Sequence, residues 1–315
     1  MSHAVQAMGK DAFTTGQDGP FQAPRASRGR PSSLHNRPTM TASHTPRAKS
    51  ADTVSALDRG LALLQCFREG QRALGATELA RMTGIPRPTV TRLADTLVAN
   101  RWLRVEPSGE RYMLGAGVVS LAQVFLSGLD VRGSARGPMQ ALAERMGGSV
   151  YLAVRDGMEM VIVEACRPRS SMLATRIDVG SRAPLPVSAL GRAFLAALDE
   201  PQRQQLIDSL RLLRGAEWAS VAPGMERAIN EAHRLGYCLS LGEFHREINS
   251  VSVALIGPSG EVMALNCGGP AFHFSEQSLR DEVAPALVQM AAGIAAEIGG
   301  RVVLPAQTTA LSSSP

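Results

Sequence analysis

One short stretch narrows the possible folds of this chain more than any other. After the turn Gly84-Ile85-Pro86, the residues Val90, Leu93, Ala94, Leu97 and Val98 recur at i, i+3, i+4, i+7 and i+8. That spacing places one apolar face on a helix. Pro88 falls near the first helical position, where a missing N–H costs nothing. The opposite face carries Arg87, Thr89, Thr91, Arg92 and Asp95. Arginines and short hydroxyls at the start of an exposed helix can reach phosphates and the major-groove edges of bases. The plain alternative is a small helical module whose arginines are ordinary solvated charges.

The flanking residues give this helix a context. Val54 to Arg68 sets Leu57, Leu61 and Leu64 at helical spacing, with Leu63 and Phe67 widening the stripe and Gly70 standing where a stop belongs. Ala76 to Thr83 predicts a short second helix, with Gly75 at its N-cap, Glu78 three positions on, and Gly84 ending it. Beyond the third helix, Trp102 to Glu106 and Glu110 to Leu114 read as two short strands around Pro107-Ser108-Gly109. Helix, short helix, turn, helix and hairpin is the order of a winged helix-turn-helix. Arg104 and Arg111 on the hairpin join Arg87, Thr89, Thr91, Arg92 and Asp95 as candidate DNA-binding residues. Residues 51–116 carry nine cations against seven anions, so charge adds modest support.

The net charge of +5 is concentrated elsewhere. Residues 1–50 hold seven cations and two anions among Pro, Ser, Thr, Gly and His, with no helical or strand period. This segment reads as a disordered basic arm. It is either a sequence-independent hold on DNA phosphates or a dispensable extension, with Met40 as an alternative start. The 315 residues suggest about two domains. No run approaches the ~20 apolar residues of a membrane-spanning helix, and the first 30 residues show no secretory pattern. Four scattered cysteines lack any CxxC spacing, which disfavours a zinc ribbon or a disulfide scaffold and fits a reducing cytoplasm.

A family resemblance adds what periodicity cannot. Leu57-Asp58-Arg59-Gly60-Leu61-Ala62-Leu63-Leu64, Thr77-Glu78-Leu79-Ala80, Gly84-Ile85-Pro86, Thr89-Val90, Arg92-Leu93 and Arg111-Tyr112-Met113-Leu114-Gly115 resemble the front of the IclR family of bacterial transcription regulators. Val179-Gly180-Ser181-Arg182, Pro184-Leu185, Ser188-Ala189-Leu190-Gly191-Arg192-Ala193, Gly236-Tyr237 and Gly269-Pro270 continue it, so that it spans Val54 to Gly299. The resemblance implies an α+β chain with an N-terminal winged helix-turn-helix domain, a linker helix and a C-terminal GAF-like α/β effector-binding domain. It also implies homodimers or homotetramers on palindromic, double-stranded operator DNA. The chain departs from the family at Pro88, where a serine is usual.

Five segments follow: the arm at 1–50, the DNA-binding domain at 51–116, the linker helix at 117–130, the effector-binding domain at 131–300 and a disordered tail at 301–315. In the fourth, Met139 to Met146 reads as a helix, as do Ser188 to Ala197, Pro201 to Leu213, Gly224 to Leu235 and Ser275 to Ile298. Two hairpins read as Ser149 to Val154 with Met158 to Ala165, and Asn249 to Ile256 with Glu261 to Cys267. Ser188 is a plausible N-cap, so the unpaired N–H groups of its helix face the loop from Gly180 to Val187. A helix start of this kind accepts a carboxylate without a cationic side chain; an ordinary cap is the plain alternative. The resemblance places the effector pocket there. The candidate effector-binding residues are Ser188, Ala189, Leu190, Gly191, Ser240, Ser250, Asn266 and Gly268.

The expected function is a sequence-specific DNA-binding transcription regulator responding to a small-molecule effector, an organic acid. The alternatives are a ligand-blind DNA binder and an enzyme on a GAF-like scaffold. No nucleophile elbow, P-loop, dinucleotide fingerprint or H-E-x-x-H motif is present. Cys238, His245, Cys267 and His273 match no usual zinc spacing. Neither a catalytic residue, nor a cofactor, nor a metal, nor a membrane partner is therefore expected.

Overall fold

A computed structural model describes residues 54–68, 70–169 and 177–303. The basic arm at 1–50 and all but the first residues of the expected tail lie outside the described residues.

The front module holds α1 (Ser55–Leu64), α2 (Ala76–Thr83) and α3 (Arg87–Ala99). Strand β1 (Leu74–Gly75) precedes α2, and β2 (Leu103–Val105) and β3 (Arg111–Leu114) follow α3 in a sheet ordered β1-β3-β2. This is a winged helix-turn-helix. Leu63, Leu74, Leu79, Ile85, Val90, Ala94, Leu103 and Tyr112 form its core. The Gly75 N–H donates to Glu78 Oε2 at 2.7 Å, and Gly84 adopts the left-handed φ of +70° that ends α2.

Two expectations for the module need correction. The first helix stops at Leu64 rather than Arg68, and its buried positions are Gly60 and Leu63. Leu57 and Leu61 stay 62% and 49% exposed, because a core this small covers only one side of a ten-residue helix. The strand β1 was also missed, since two residues carry no period.

Helix α4 (Gly117–Ser127) follows and has no buried residue; Val119, Leu121, Val124 and Phe125 are all exposed. Helix α5 (Val131–Met146) then begins eight residues before the expected Met139. Pro138 and two glycines mask its first turns in sequence, yet Val131 and Ala135 pack into the core.

Behind α5 stands an antiparallel sheet. Its strands are β4 (Ser149–Asp156), β5 (Glu159–Cys166), β6 (Arg182–Pro184), β7 (Cys238–Leu241), β8 (Ile248–Ile256), β9 (Val262–Pro270) and β10 (Arg301–Val302). The order is β10-β8-β9-β4-β5-β6, with β7 also paired to β8. Strand β10 corrects the tail boundary: residues 301 and 302 pair with Leu255 and Ile256.

Helices cover both faces, as a sheet with two apolar sides requires. On one side α5 and α10 (Ala284–Ile298) enclose Val150, Leu152, Val251, Val253, Leu265 and Cys267. On the other, α6 (Ala189–Ala197) and α8 (Trp218–Leu235) enclose Tyr151, Ala153, Ile162, Ala254 and Ala264, with α7 (Glu200–Arg214) outside them. The alternation of Val150 with Tyr151 and of Val253 with Ala254 is the period-two signature of a doubly covered strand. Helix α8 starts at Trp218 rather than Gly224, since Pro223 hides its first turns. The expected Ser275–Ile298 helix is three pieces: α9 (Glu276–Ser278), a π-helical turn (Leu279–Val283) and α10.

Candidate functional sites: a DNA-reading helix and a cavity at a helix start

The candidate reading face lies on α3. Val90 and Ala94 are buried while Arg87, Arg92 and Asp95 are exposed and Thr89 and Thr91 half-buried, so the polar strip faces outward. Its hydroxyls are partly occupied. Thr91 Oγ1 donates to the Arg87 carbonyl at 3.2 Å, and Thr96 Oγ1 to the Arg92 carbonyl at 2.9 Å. Asp95 accepts a hydrogen bond from the Tyr112 hydroxyl, which ties the helix to β3. Burial, and then the Asp95 charge, push the Tyr112 phenol above its ordinary value.

The wing residues differ from each other. Arg104 stands exposed on β2. Arg111 is engaged inside the module: its Nη2 donates to the Ala73 carbonyl at 2.6 Å and to Glu78 Oε2 at 3.0 Å. Among the described residues Arg87, Arg92 and Arg104 make no ion pair, so three cations are available to phosphates.

The second site is built by register. Strand pairing sets Ser240 opposite Ser250, Ser250 opposite Gly268, and Gly268 opposite Ser149. The next row in the same direction is Cys238, Ser252, Asn266 and Tyr151. Both rows face α6, because Tyr151 and Cys238 belong to the core on that side. Four serine hydroxyls, the Tyr151 hydroxyl and a carboxamide thus cross four strands beneath the start of one helix.

That start is capped as the sequence suggests. Ser188 Oγ accepts the Gly191 N–H at 3.0 Å and donates to the Pro184 carbonyl at 2.7 Å. Ala189 and Leu190 are the first helical residues, whose N–H groups have no acceptor within the helix. Gly191 lets the helix approach the loop: a Cβ there would lie 2.3 Å from the Leu185 Cα. Ser240 Oγ donates to the Val187 carbonyl at 2.9 Å, and Asn266 Nδ2 donates to Ser252 Oγ at 2.8 Å.

These groups enclose a cavity of about 50 Å³. Seven of the eight candidate residues line it: Ser188, Ala189, Leu190, Ser240, Ser250, Asn266 and Gly268. Gly191 does not; it supports the helix from behind. Ser149, Tyr151, Ile162, Arg182 and Phe244 also line the cavity and were not singled out in the sequence. Ser149 could have been found only through the pairing partner of Gly268, which a lone sequence does not disclose. Arg182 brings a guanidinium, but Asp156 and Glu159 hold it at 2.6 Å each. Phe244 sits beside Glu243, which is bound through both its oxygens to the buried Arg192.

Thiol chemistry is suppressed throughout. All four cysteines are buried and none is in a disulfide. Burial pushes Cys267 up to about 12 and Cys238 higher still. Among the described residues no group of three or more His, Cys, Asp or Glu is placed to hold a metal ion. No described helix is long and apolar enough to cross a membrane.

A reading helix with a wing, followed by a sheet that borders a largely apolar cavity carrying a few polar groups, defines a DNA-binding regulator with a sensor domain. Comparison with known proteins gives the same class. Residues 56–107 match the IclR helix-turn-helix domain, and residues 123–296 match the C-terminal domain of the bacterial transcriptional regulator IclR. The HTH-type transcriptional regulator TsaQ1/TsaQ2 of Comamonas testosteroni is 35% identical over 248 residues, covering 78% of this chain and 88% of that protein. The crystal structure of an IclR family transcriptional regulator from Brucella abortus superposes with a TM-score of 0.74 at 36% identity, covering 81% of this chain and 96% of the other. An IclR homolog from Microbacterium hydrocarbonoxydans complexed with 4-hydroxybenzoate shares the fold, with a TM-score of 0.61 at 23% identity, over 78% of this chain and 99% of that one. The chain belongs to the IclR family of bacterial transcription regulators. It is a DNA-binding, effector-responsive regulator rather than an enzyme.

Proposed function

We propose that this regulator reads operator DNA with Arg87, Thr89, Thr91, Arg92 and Asp95, assisted by Arg104, and senses a small carboxylate in the cavity at the start of α6. Arg111 contributes to DNA by holding the wing on Glu78 rather than by a free charge. The DNA-binding domain spans 51–116, the linker helix 117–130 and the effector-binding domain 131 through β10, and the chain works as a cytoplasmic homo-oligomer. One observation supports the sensing role: Ser188, Ser240, Ser250 and Asn266 converge on one cavity with the helix start.

A carboxylate suits this cavity for electrostatic reasons. Among the described residues the only cation lining it, Arg182, is neutralised by two acids, so neutral donors must receive the ligand charge. The Ala189 and Leu190 N–H groups and the positive end of α6 supply that field. A cavity of about 50 Å³ accepts a few waters or a compact acid as it stands. A ring-bearing acid such as the 4-hydroxybenzoate of the Microbacterium protein enters with displacement of Phe244. Two exposed dimer halves related by symmetry would set their reading helices about 34 Å apart, or a multiple of that spacing, along DNA.

Thermal unfolding against acetate, pyruvate, benzoate and 4-hydroxybenzoate tests the sensing role. A true effector at ~100 times its dissociation constant adds about 2.7 kcal/mol to stability. A shift with one of these that Ser188→Ala reduces supports the assignment. A shift that Ser188→Ala leaves intact puts the pocket elsewhere, and DNA binding that no organic acid alters favours the ligand-blind reading.

A further inference from the structure

One arginine joins the linker helix to the sensor sheet. Arg132, in the first turn of α5, donates from Nη1 to the Leu126 carbonyl in the last turn of α4 at 3.1 Å. Its Nη2 donates to Glu164 Oε2 on β5 at 2.8 Å. Glu164 is only 3% exposed, and its other oxygen accepts from the exposed Arg136 at 3.0 Å. Among the described residues, Arg132 Nε is the one buried side-chain donor or acceptor without a partner.

Both features are unfavourable by themselves. A buried carboxylate loses its hydration, and an orphaned donor adds a further desolvation penalty. Neither group takes part in the reading face or the cavity. Their geometry is therefore maintained for what it connects. Ile162, two residues before Glu164 on β5, lines the cavity on the α6 side. Glu164 meets Arg132 and Arg136 of α5 on the other side. Two such residues fall on opposite sides because Val163 is an extra residue between the pairs Leu152–Glu164 and Ala153–Ile162. The register between β4 and β5 shifts beside this point, between Leu152 and Ala153. Such an irregularity leaves one residue out of the ladder, bends the strand and re-aims its side chains, so the two positions sit on one locally distorted segment. Displacement of Ile162 on one side would then move Glu164 on the other.

We propose that Arg132, held by Glu164, is the positioning residue that sets where the linker helix leaves the sensor domain. Through it, movement of the cavity strands reaches the DNA-binding module. The proposal rests on the DNA-binding reading above for its second arm only.

Hydrogen exchange on the full-length protein supplies the first arm. Arg132→Lys keeps the charge but cannot aim two diverging bonds, and Glu164→Gln removes the charge with little change of shape. Each should raise exchange about tenfold across residues 123–131, as expected for a lost charge-assisted hydrogen bond, while β8 and β9 stay protected. Arg136→Ala removes the exposed partner of the same carboxylate and should leave that segment unchanged. Wild-type protection of residues 123–131 in Arg132→Lys and Glu164→Gln overturns the proposal. Should either variant lose protection globally, the neutral pair Arg132→Met with Glu164→Leu replaces it, with the same expected localisation and the same overturning result.

The second arm is affinity for duplex DNA taken from upstream of the protein's own gene. Arg132→Lys should bind about tenfold more weakly and Arg136→Ala as the wild type does. Equal affinity for Arg132→Lys overturns the transmission role. A wild type without DNA affinity refutes the DNA-binding reading instead, and the exchange arm still decides the position of the linker helix.

Discussion

Arg192 and Glu243 are joined by two parallel hydrogen bonds, of 2.5 and 2.7 Å, across 51 residues of sequence. Arg192 is 2% exposed and also donates to the Pro186 and Leu239 carbonyls, so one guanidinium gathers the loop before α6, strand β7 and the loop carrying Phe244. The planar fork suits this task in a way a lysine would not. Arg192→Met should therefore destabilise by about 3–5 kcal/mol, since it leaves a carboxylate and two carbonyls unpaired. Glu243→Gln, at a position 35% exposed, should cost only about 1 kcal/mol. Urea denaturation of both variants checks the ranking; a smaller loss for Arg192→Met would remove it as the hub.

Gly191 offers a test in which two physical effects have opposite signs. Alanine inside an exposed helix is favoured over glycine by about 1 kcal/mol. Here an added Cβ would lie 2.3 Å from the Leu185 Cα and 2.4 Å from its carbonyl oxygen. Contacts to backbone are not relieved by a rotamer change, so overpacking should win and Gly191→Ala should lose about 1–3 kcal/mol. A stabilised variant would show that the helix start and its loop are looser than described.

Ser188→Ala should cost about 1 kcal/mol through loss of the cap on Gly191. The same substitution should weaken binding of whichever carboxylate shifts the melting temperature, because Ser188 lines the cavity. Calorimetric titration separates the two effects, since a cap alone would change stability and leave ligand affinity as it was.

The thiols supply a control on the fold. Burial raises all four cysteines above the ordinary thiol value, Cys267 to about 12. A raised thiol pKa means the neutral form persists as pH rises, so thiolate should stay scarce at pH 8. Native protein should react with a disulfide reagent far more slowly than unfolded protein, in which every thiol is free. Rapid reaction of two or more thiols in the native state would contradict the burial described.

The legible parts of this fold are those with punctuation at both ends. Helix α2 begins and ends as read because Gly75 and Gly84 flank it and Glu78 reaches back to the first N–H. The first turns of α5 and α8 are not legible because Pro138 and Pro223 sit inside them, where a proline ordinarily signals a helix boundary. Strands β1, β6 and β10 hold two or three residues, have no period to detect and lack the adjoining hairpin turn that marks the equally short β2. At the cavity, Ser188 was legible from local chemistry, as a cap before a helix. Ser149 and Phe244 were not, since their places depend on the register of β4 against β9 and on the Arg192–Glu243 tie. Arg111 shows the reverse limit: its charge was visible, but its partner Glu78, 33 residues away, was not.

Arg92 is the most direct test of the whole account. It is exposed on the polar strip of α3 and makes no ion pair among the described residues. Fluorescence anisotropy with duplex DNA from upstream of the gene, repeated from about 50 to 200 mM salt, measures its part. Arg92→Ala should bind about tenfold more weakly with an unchanged melting temperature, and its salt slope should fall by about one if the arginine contacts phosphate. Affinity and slope equal to those of the wild type would contradict the reading of α3 as the helix that meets DNA.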